Sequence, residues 1–232
     1  MEKLHNGFTL ELADGAFPLS TDSIALSGFV RLQKAARVLD LGSGCGTLGL
    51  LLCARYADCA VTGIELDASA HRTALTNGIQ NGLDNRLTSI CGDLRDISSL
   101  VKPGSFSCCI SNPPYFSSGF KSRSVPIARS EDTCPMDALF RAAGWALKYG
   151  GDFFLVHKPE RLAELFSKAS QNKLEPKRLC LLRHKADGPV ALVLVQCRKG
   201  GNPGLIWEEE SLFDPQGKPT DYYRKLYHME DV

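Results

Sequence analysis

Short apolar runs alternate with stretches of helical period along most of this chain. The runs at 37–41, 60–65, 86–91, 106–111 and 152–156 have the length and composition of buried strands. Between them, 47–56 sets Leu48, Leu51, Leu52 and Arg55 at helical spacing, and Asp67 is placed to cap a helix reaching 81. Two more helices are predicted over 135–147 and 159–171, with the turn Tyr149-Gly150-Gly151 between the first of them and the fifth strand. Strand and helix in alternation predict a parallel sheet with helices on both faces. The last two apolar runs, 178–183 and 190–196, break that rule. The link between them, His184 to Pro189, is too short for a parallel crossover, so this pair is antiparallel. The expected fold is therefore α/β and Rossmann-like. It is an open seven-stranded mixed sheet of five parallel strands plus a C-terminal antiparallel hairpin, and not the all-parallel dinucleotide fold. The segment 116–132 has no clear period and reads as a long loop, a class of loop that is usually functional or mobile. The chain divides into an N-terminal extension (1–35) packing on the ligand site, a core domain (36–200) and a tail (201–232).

Composition changes this picture little. An apolar fraction of 44% is enough for a normal core, and a net charge of +1 predicts no strong whole-protein field for a polyanion. Charge is unevenly spread: 158–199 holds ten Lys/Arg against four Asp/Glu, and the chain from Trp207 holds seven Asp/Glu against three Lys/Arg. The basic stretch reads equally as a polyanion-binding face and as solvated surface. Nine cysteines show no C-x-x-C spacing. Most (Cys53, Cys59, Cys91, Cys108, Cys109, Cys180, Cys197) lie in apolar runs, which reads as core filler in a reducing cytoplasm. No run is long enough to span a membrane and the N-terminus is not a secretion signal. His71, His157 and His184 have no ligand spacing, and no metal site is expected.

The sharpest chemical signal is Asn112-Pro113-Pro114-Tyr115, directly after the apolar run 106–111. Each proline ring locks φ and removes a backbone donor, and the residue ahead of it is pushed to an extended conformation. The strand must stop and present a stiff tip with one amide, undisputed carbonyls and an aromatic face. Those parts suit a flat group that carries an NH2. An ordinary proline turn, with Asn as turn former, stays open on these residues alone.

Three further strand ends carry candidates. Asp40-Leu41-Gly42-Ser43-Gly44-Cys45-Gly46 joins the first strand to the first helix. Its alternate glycines let the backbone turn tightly against a ligand at a helix N-terminus. The spacing is D-x-G-x-G-x-G and not G-x-G-x-x-G, so the carboxylate and sulfonium of S-adenosylmethionine beside Asp40 fit better than a pyrophosphate. Glu65 ends the second strand, where a carboxylate can accept from both ribose hydroxyls. Asp93 follows the third strand and can accept from an adenine amino group, or simply cap a turn. All of these fall on the carboxyl edge of the sheet, where α/β proteins bind ligands.

Asp40 to Gly46, Glu65, Asp93 and Asn112 to Tyr115 resemble the class I amino-methyltransferases that carry an N/D-P-P-Y/F/W motif. Over about residues 6–230 the chain is similar to the bacterial family that methylates N6 of the adenine next to the anticodon in valine tRNA. The likeness extends to Phe17–Ser23, Ala128–Glu131, His157–Leu162, Glu175–Arg178 and Lys199–Gly201. Many of that family have His-Glu where this chain has Ser130-Glu131. The resemblance implies S-adenosylmethionine as cofactor, held by Thr21, Asp22, Asp40, Gly42, Gly44, Gly46, Glu65, Leu66, Asp93, Leu94 and Asn112. It implies catalysis at Asn112, Pro113, Pro114 and Tyr115, and a tRNA partner whose turned-out base can stack on Tyr115. Phe116 is a second stacking candidate that reads equally as core, and Lys121, Arg123 and Arg129, right after the tip in sequence, read as phosphate contacts or as solvated surface. Related families that share N-P-P-Y act on ribosomal RNA or on a protein glutamine. A non-catalytic RNA-binding module on the same fold is the reading from another class.

Overall fold

A computed structural model describes residues 2–4, 7–114 and 136–229. A two-residue ladder, β1 (Glu2–Lys3) against β2 (Thr9–Leu10), opens the chain, and α1 (Thr21–Phe29) follows. The alternation then runs as the apolar pattern predicts: β3 (Arg37–Leu41), α2 (Thr47–Arg55), β4 (Ala60–Glu65), α3 (Ala68–Gln80), β5 (Leu87–Cys91), α4 (Ile97–Leu100), β6 (Phe106–Ser111), α5 (Met136–Ala146) and β7 (Leu147–His157). After β7 come α6 (Leu162–Gln171), β8 (Leu174–Lys185), β9 (Val190–Lys199), β10 (Ile206–Phe213) and α7 (Asp221–Leu226).

The main sheet has eight strands in the order β10-β8-β9-β7-β6-β3-β4-β5. The five strands from β3 to β7 are parallel, and β8 and β9 form the expected antiparallel hairpin. The expectation of seven strands is corrected by β10, which adds to β8 in parallel at the sheet edge. The sequence Ile-Trp-Glu-Glu-Glu-Ser-Leu-Phe hides this strand, because three consecutive acids do not read as sheet. Their neighbours explain them: Arg178 makes a paired contact to Glu208 at 3.0 Å, and Arg183 reaches Glu209 at 3.5 Å. Part of the basic stretch and part of the acidic tail thus meet in this strand pairing. Arg161, Lys168 and Arg198 are likewise paired, with Glu164, Asp137 and Asp152. β7 also starts earlier than predicted. It takes in the Tyr149-Gly150-Gly151 turn as an irregularity, where the register jumps from Phe106↔Leu147 to Cys108↔Asp152 and Gly150 has φ +75°.

Side chains alternate between two cores. Val38, Cys108, Ile110, Phe154 and Leu194 face the layer of α1, α2 and α7. Leu39, Leu41, Cys109, Phe153 and Leu155 face the layer of α5 and α6. The described cysteines are free thiols; all are buried except Cys91, which is exposed at the end of β5 and corrects its reading as filler. Among the described residues no helix is long and apolar enough to cross a membrane, and no cluster of His, Cys, Asp and Glu could hold a metal ion.

Candidate functional site

The strand order sets the site. From β3 the chain moves outward through β4 to β5, then returns to the other side of β3 as β6. The crevice between β3 and β6 at their carboxyl ends is the switch point at which open α/β sheets take ligands. The glycine loop leaves β3 there, and Asn112 leaves β6.

The loop is held by specific bonds. Gly42 N–H and Ser43 N–H both donate to Ile64 O, at 3.0 and 3.1 Å, and Gly46 N–H donates to Ser43 O at 2.9 Å. Gly42, Gly44 and Gly46 all have positive φ, between +54° and +82°, which side chains with a Cβ rarely adopt. At Gly42 and Gly44 nothing lies within 4 Å of where a Cβ would sit, so a ligand can lie against the backbone. Gly46 is different: a Cβ there would meet the Ala74 Cβ at 3.3 Å, so this glycine lets α3 approach.

Asp40, at the end of β3, is 1% exposed, and neither carboxylate oxygen has a hydrogen-bond partner. The Ser43 hydroxyl is buried and unpartnered as well. Burial, helped by the nearby charge of Glu65, pushes the Asp40 pKa up to about 8. A buried carboxyl with no donor costs free energy unless something answers it. A cationic ligand group resting on the glycine loop would supply that answer, which is the property expected of a sulfonium- or ammonium-bearing cofactor.

Glu65 departs from the simple ribose reading. Its Oε2 accepts the Gly44 N–H at 2.7 Å and its Oε1 accepts the Asp67 N–H at 2.8 Å. The carboxylate therefore braces the loop, with only its remaining lone pairs directed elsewhere. Asp93 sits at the start of a short 3-10 turn, Leu94–Asp96, and accepts the Arg95 N–H at 2.8 Å. Its other oxygen is in an ion pair with the Arg95 side chain, and the hydrogen bonds from Arg95 hold its pKa below the usual carboxylate range. That is the turn-cap geometry. Leu66 is 45% exposed beside Glu65, an apolar platform on the ligand edge, whereas Leu94 is buried.

Asn112 leaves β6 and donates from Nδ2 to Ser23 Oγ at 3.0 Å. Ser23 lies in the first turn of α1, next to Thr21 and Asp22, and is 7% exposed. The N-terminal segment thus reaches the site, and Ser23, which in the sequence only closes the Phe17–Ser23 stretch, joins the candidate residues. Its signal was its place beside Thr21-Asp22, without a long-range partner to give it meaning. His157 ends the neighbouring strand β7, accepts the Lys158 N–H at Nδ1 (2.8 Å), and is kept neutral by burial and by Arg161, with its pKa lowered to about 4. Tyr115, Phe116, Lys121, Arg123 and Arg129 lie outside the described residues.

The sequence profile of the methyltransferase small domain matches residues 23–174. A protein of Porphyromonas gingivalis named tRNA1(Val) (adenine(37)-N6)-methyltransferase is 30% identical over 184 residues, covering 76% of this chain and 72% of its own length. Its namesake in Actinobacillus pleuropneumoniae is 27% identical and covers 91% of this chain and 89% of its own. The structure of a predicted O-methyltransferase from Agrobacterium tumefaciens superposes with a TM-score of 0.76 at 19% identity, over 90% of this chain and 96% of that one. A geranyl diphosphate methyltransferase in complex with SAM gives a TM-score of 0.58 at 13% identity, over 84% and 99%.

Proposed function

The chain belongs to the methyltransferase small domain family, and we propose that it transfers the methyl group of S-adenosylmethionine to N6 of the adenine next to the anticodon of a valine tRNA. The observation that carries the reading is Asn112-Pro113-Pro114 at the end of β6, across the switch-point crevice from the glycine loop on β3. The relatives named for that reaction, at 27–30% identity over most of the chain, support the choice of substrate. The stretch 36–200 carries the cofactor loop and the tip, the segment 1–35 contributes α1 to the site, and the chain beyond 200 completes the sheet with β10.

The cofactor supplies an activated methyl group on a sulfonium. The rest is work for the chain. An adenine N6 amine is a poor nucleophile because its lone pair is delocalised into the ring. The Asn112 Oδ1 and the Pro113 carbonyl each accept one N–H from it, which holds the nitrogen toward a tetrahedral arrangement and aims its lone pair. The leaving group is neutral, so alignment and charge complementarity account for most of the acceleration. No strong base is needed before attack, and the proton leaves afterwards to solvent. Tyr115 gives a stacking face for a base turned out of its loop, a contact worth roughly 1–3 kcal/mol. Gly42, Gly44, Glu65 and Leu66 would hold the cofactor, with the buried Asp40 carboxyl to answer its positive charge. The free thiols fit work in a reducing cytoplasm.

The test is nucleoside mass spectrometry on tRNA incubated with the purified protein and labelled cofactor. The expected product is N6-methyladenosine in the anticodon loop. N2-methylguanosine, or label only in a protein glutamine, would overturn the substrate and leave the methyltransferase intact. No transfer to RNA or protein, with cofactor still bound, would favour the non-catalytic module.

A further inference from the structure

We infer that Ser23 is a positioning residue for methyl transfer: by accepting an N–H from Asn112, its hydroxyl turns the oxygen end of that amide toward the substrate amine. The inference rests on the reading of Asn112 as acceptor for that amine.

An asparagine amide has two ends of nearly equal shape and opposite chemistry. The oxygen only accepts and the NH2 only donates. Turned the wrong way, Asn112 would set one NH2 against another and make no bond. Something must distinguish the two orientations. The usual local device is an Asx turn, in which the side-chain oxygen accepts the backbone N–H two residues on. Here that position is Pro114, which has no N–H, and Pro113 before it has none either. The Pro-Pro pair therefore removes the turn that would otherwise capture the oxygen, and leaves the orientation to be set from outside the motif.

Among the described residues Ser23 makes such a contact, 89 residues away in sequence, with its Oγ 3.0 Å from Asn112 Nδ2. It stands on a rigid element. Ser20 caps α1 by accepting the Ser23 N–H, and Ile24, Leu26 and Phe29 bury the helix in the core. The Ser20 hydroxyl donates to Ser23 Oγ at 3.4 Å, so the Ser23 oxygen, with two lone pairs, acts as acceptor toward both the helix cap and Asn112. Cβ alternation agrees. Asn112 falls on the same face of β6 as Cys108 and Ile110, which is the face α1 covers. Thr21 and Asp22 share that first turn, so the turn proposed to meet the cofactor also sets the amide.

The experiment compares wild type with Ser23→Ala, Ser23→Thr, Asn112→Ala and the Ser23→Ala/Asn112→Ala double variant. Single-turnover methyl transfer is measured at saturating tRNA and cofactor, with cofactor affinity by calorimetry and folding by thermal melts. Loss of Ser23 is expected to slow transfer about tenfold, the scale of one hydrogen bond, with cofactor affinity unchanged. Ser23→Thr keeps the hydroxyl and should keep most of the rate. The double variant should be no slower than Asn112→Ala, because Ser23 acts only through that amide. A wild-type rate in Ser23→Ala beside an inactive Asn112→Ala would overturn the inference alone, and so would additive losses in the double variant. A wild-type rate in Asn112→Ala would instead overturn the reading of the site on which the inference rests. If Ser23→Ala does not fold, Ser23→Cys replaces it; the thiol is a weak acceptor, and a wild-type rate there would equally overturn the inference.

Discussion

The two halves of the site are built on different principles. On the cofactor side the groups are backbone and carboxylate, contributed by consecutive strand ends and tied to one another locally. Gly44 is held by Glu65, Gly42 and Ser43 by Ile64, and Asp93 by Arg95, its near neighbour. On the substrate side one side chain, Asn112, is oriented from a helix 89 residues earlier in the chain. A cofactor half made by local geometry should tolerate loss of the substrate group, and the converse should hold.

The largest expected effect is a crossed result. Asn112→Ala should cut turnover on tRNA roughly 100-fold or more, by analogy with the loss of one transition-state hydrogen bond, and leave cofactor affinity nearly intact. Glu65→Ala should do the opposite. It weakens cofactor binding by about 1–3 kcal/mol, the range for hydrogen bonds to a charged group, and leaves the rate at saturating cofactor near wild type. Calorimetry and single-turnover rates on both variants check the pair. A Glu65→Ala protein with unchanged affinity would mean that the carboxylate braces the loop and does nothing more.

That contrast also explains what the sequence could disclose. The parallel strands, the glycine loop and the Asn-Pro-Pro tip are local patterns, and each was visible where it stands. β10 was not, because Glu208, Glu209 and Glu210 look like solvated acids until Arg178 and Arg183 are set beside them. The uneven charge of 158–199 and of the tail was legible as a fact. The part of it explained by the β8–β10 pairing, Arg178 and Arg183 against Glu208 and Glu209, is long-range. Ser23 was missed for the same reason. Asp93 and Glu65 were found by position, but their present partners, Arg95 and the Gly44 N–H, could only be learned from geometry.

A smaller effect, still on the cofactor side, concerns protons. Asp40 has a native pKa near 8, raised by burial and then by Glu65, against 3.8 in an unperturbed chain. Between those values the folded protein holds a proton that the unfolded chain has lost. The stability this group contributes is therefore full below about pH 4 and lost as pH rises through about 8, by at most about 1.4 kcal/mol per pH unit. A cationic cofactor favours the ionised carboxyl, so binding should release a proton. Affinity should then rise by up to about tenfold per pH unit over roughly pH 5.5–7, where an α-amino group keeps its charge. Asp40→Asn should remove both the proton release, seen in calorimetry across buffers of different ionisation enthalpy, and the slope. An unchanged slope in that variant would take Asp40 out of the site.

The smallest expected effect tests the substrate side beyond Asn112. Lys121, Arg123 and Arg129 follow the Asn-Pro-Pro-Tyr tip in sequence and are proposed to meet tRNA phosphates. The competing basic stretch, 158–199, is in large part engaged by the protein itself: Arg161, Lys168, Arg178, Arg183 and Arg198 are all in ion pairs. Positive charge answered by a carboxylate attracts RNA less, so Lys121, Arg123 and Arg129 should carry more of the salt dependence than the hairpin. Replacing any one of these three residues with Ala should lower the log–log salt slope of tRNA binding by nearly one, which is about threefold in affinity between about 50 and 200 mM salt. The loss should be alike for cognate and unrelated RNA, because phosphate contacts position the strand without reading it. Alanine at Lys158 and Lys185, exposed on the hairpin side of the same edge, is the control. A larger slope change there than at Lys121, Arg123 or Arg129 would move the RNA track across the sheet toward β8, and with it the direction from which the adenine reaches Asn112.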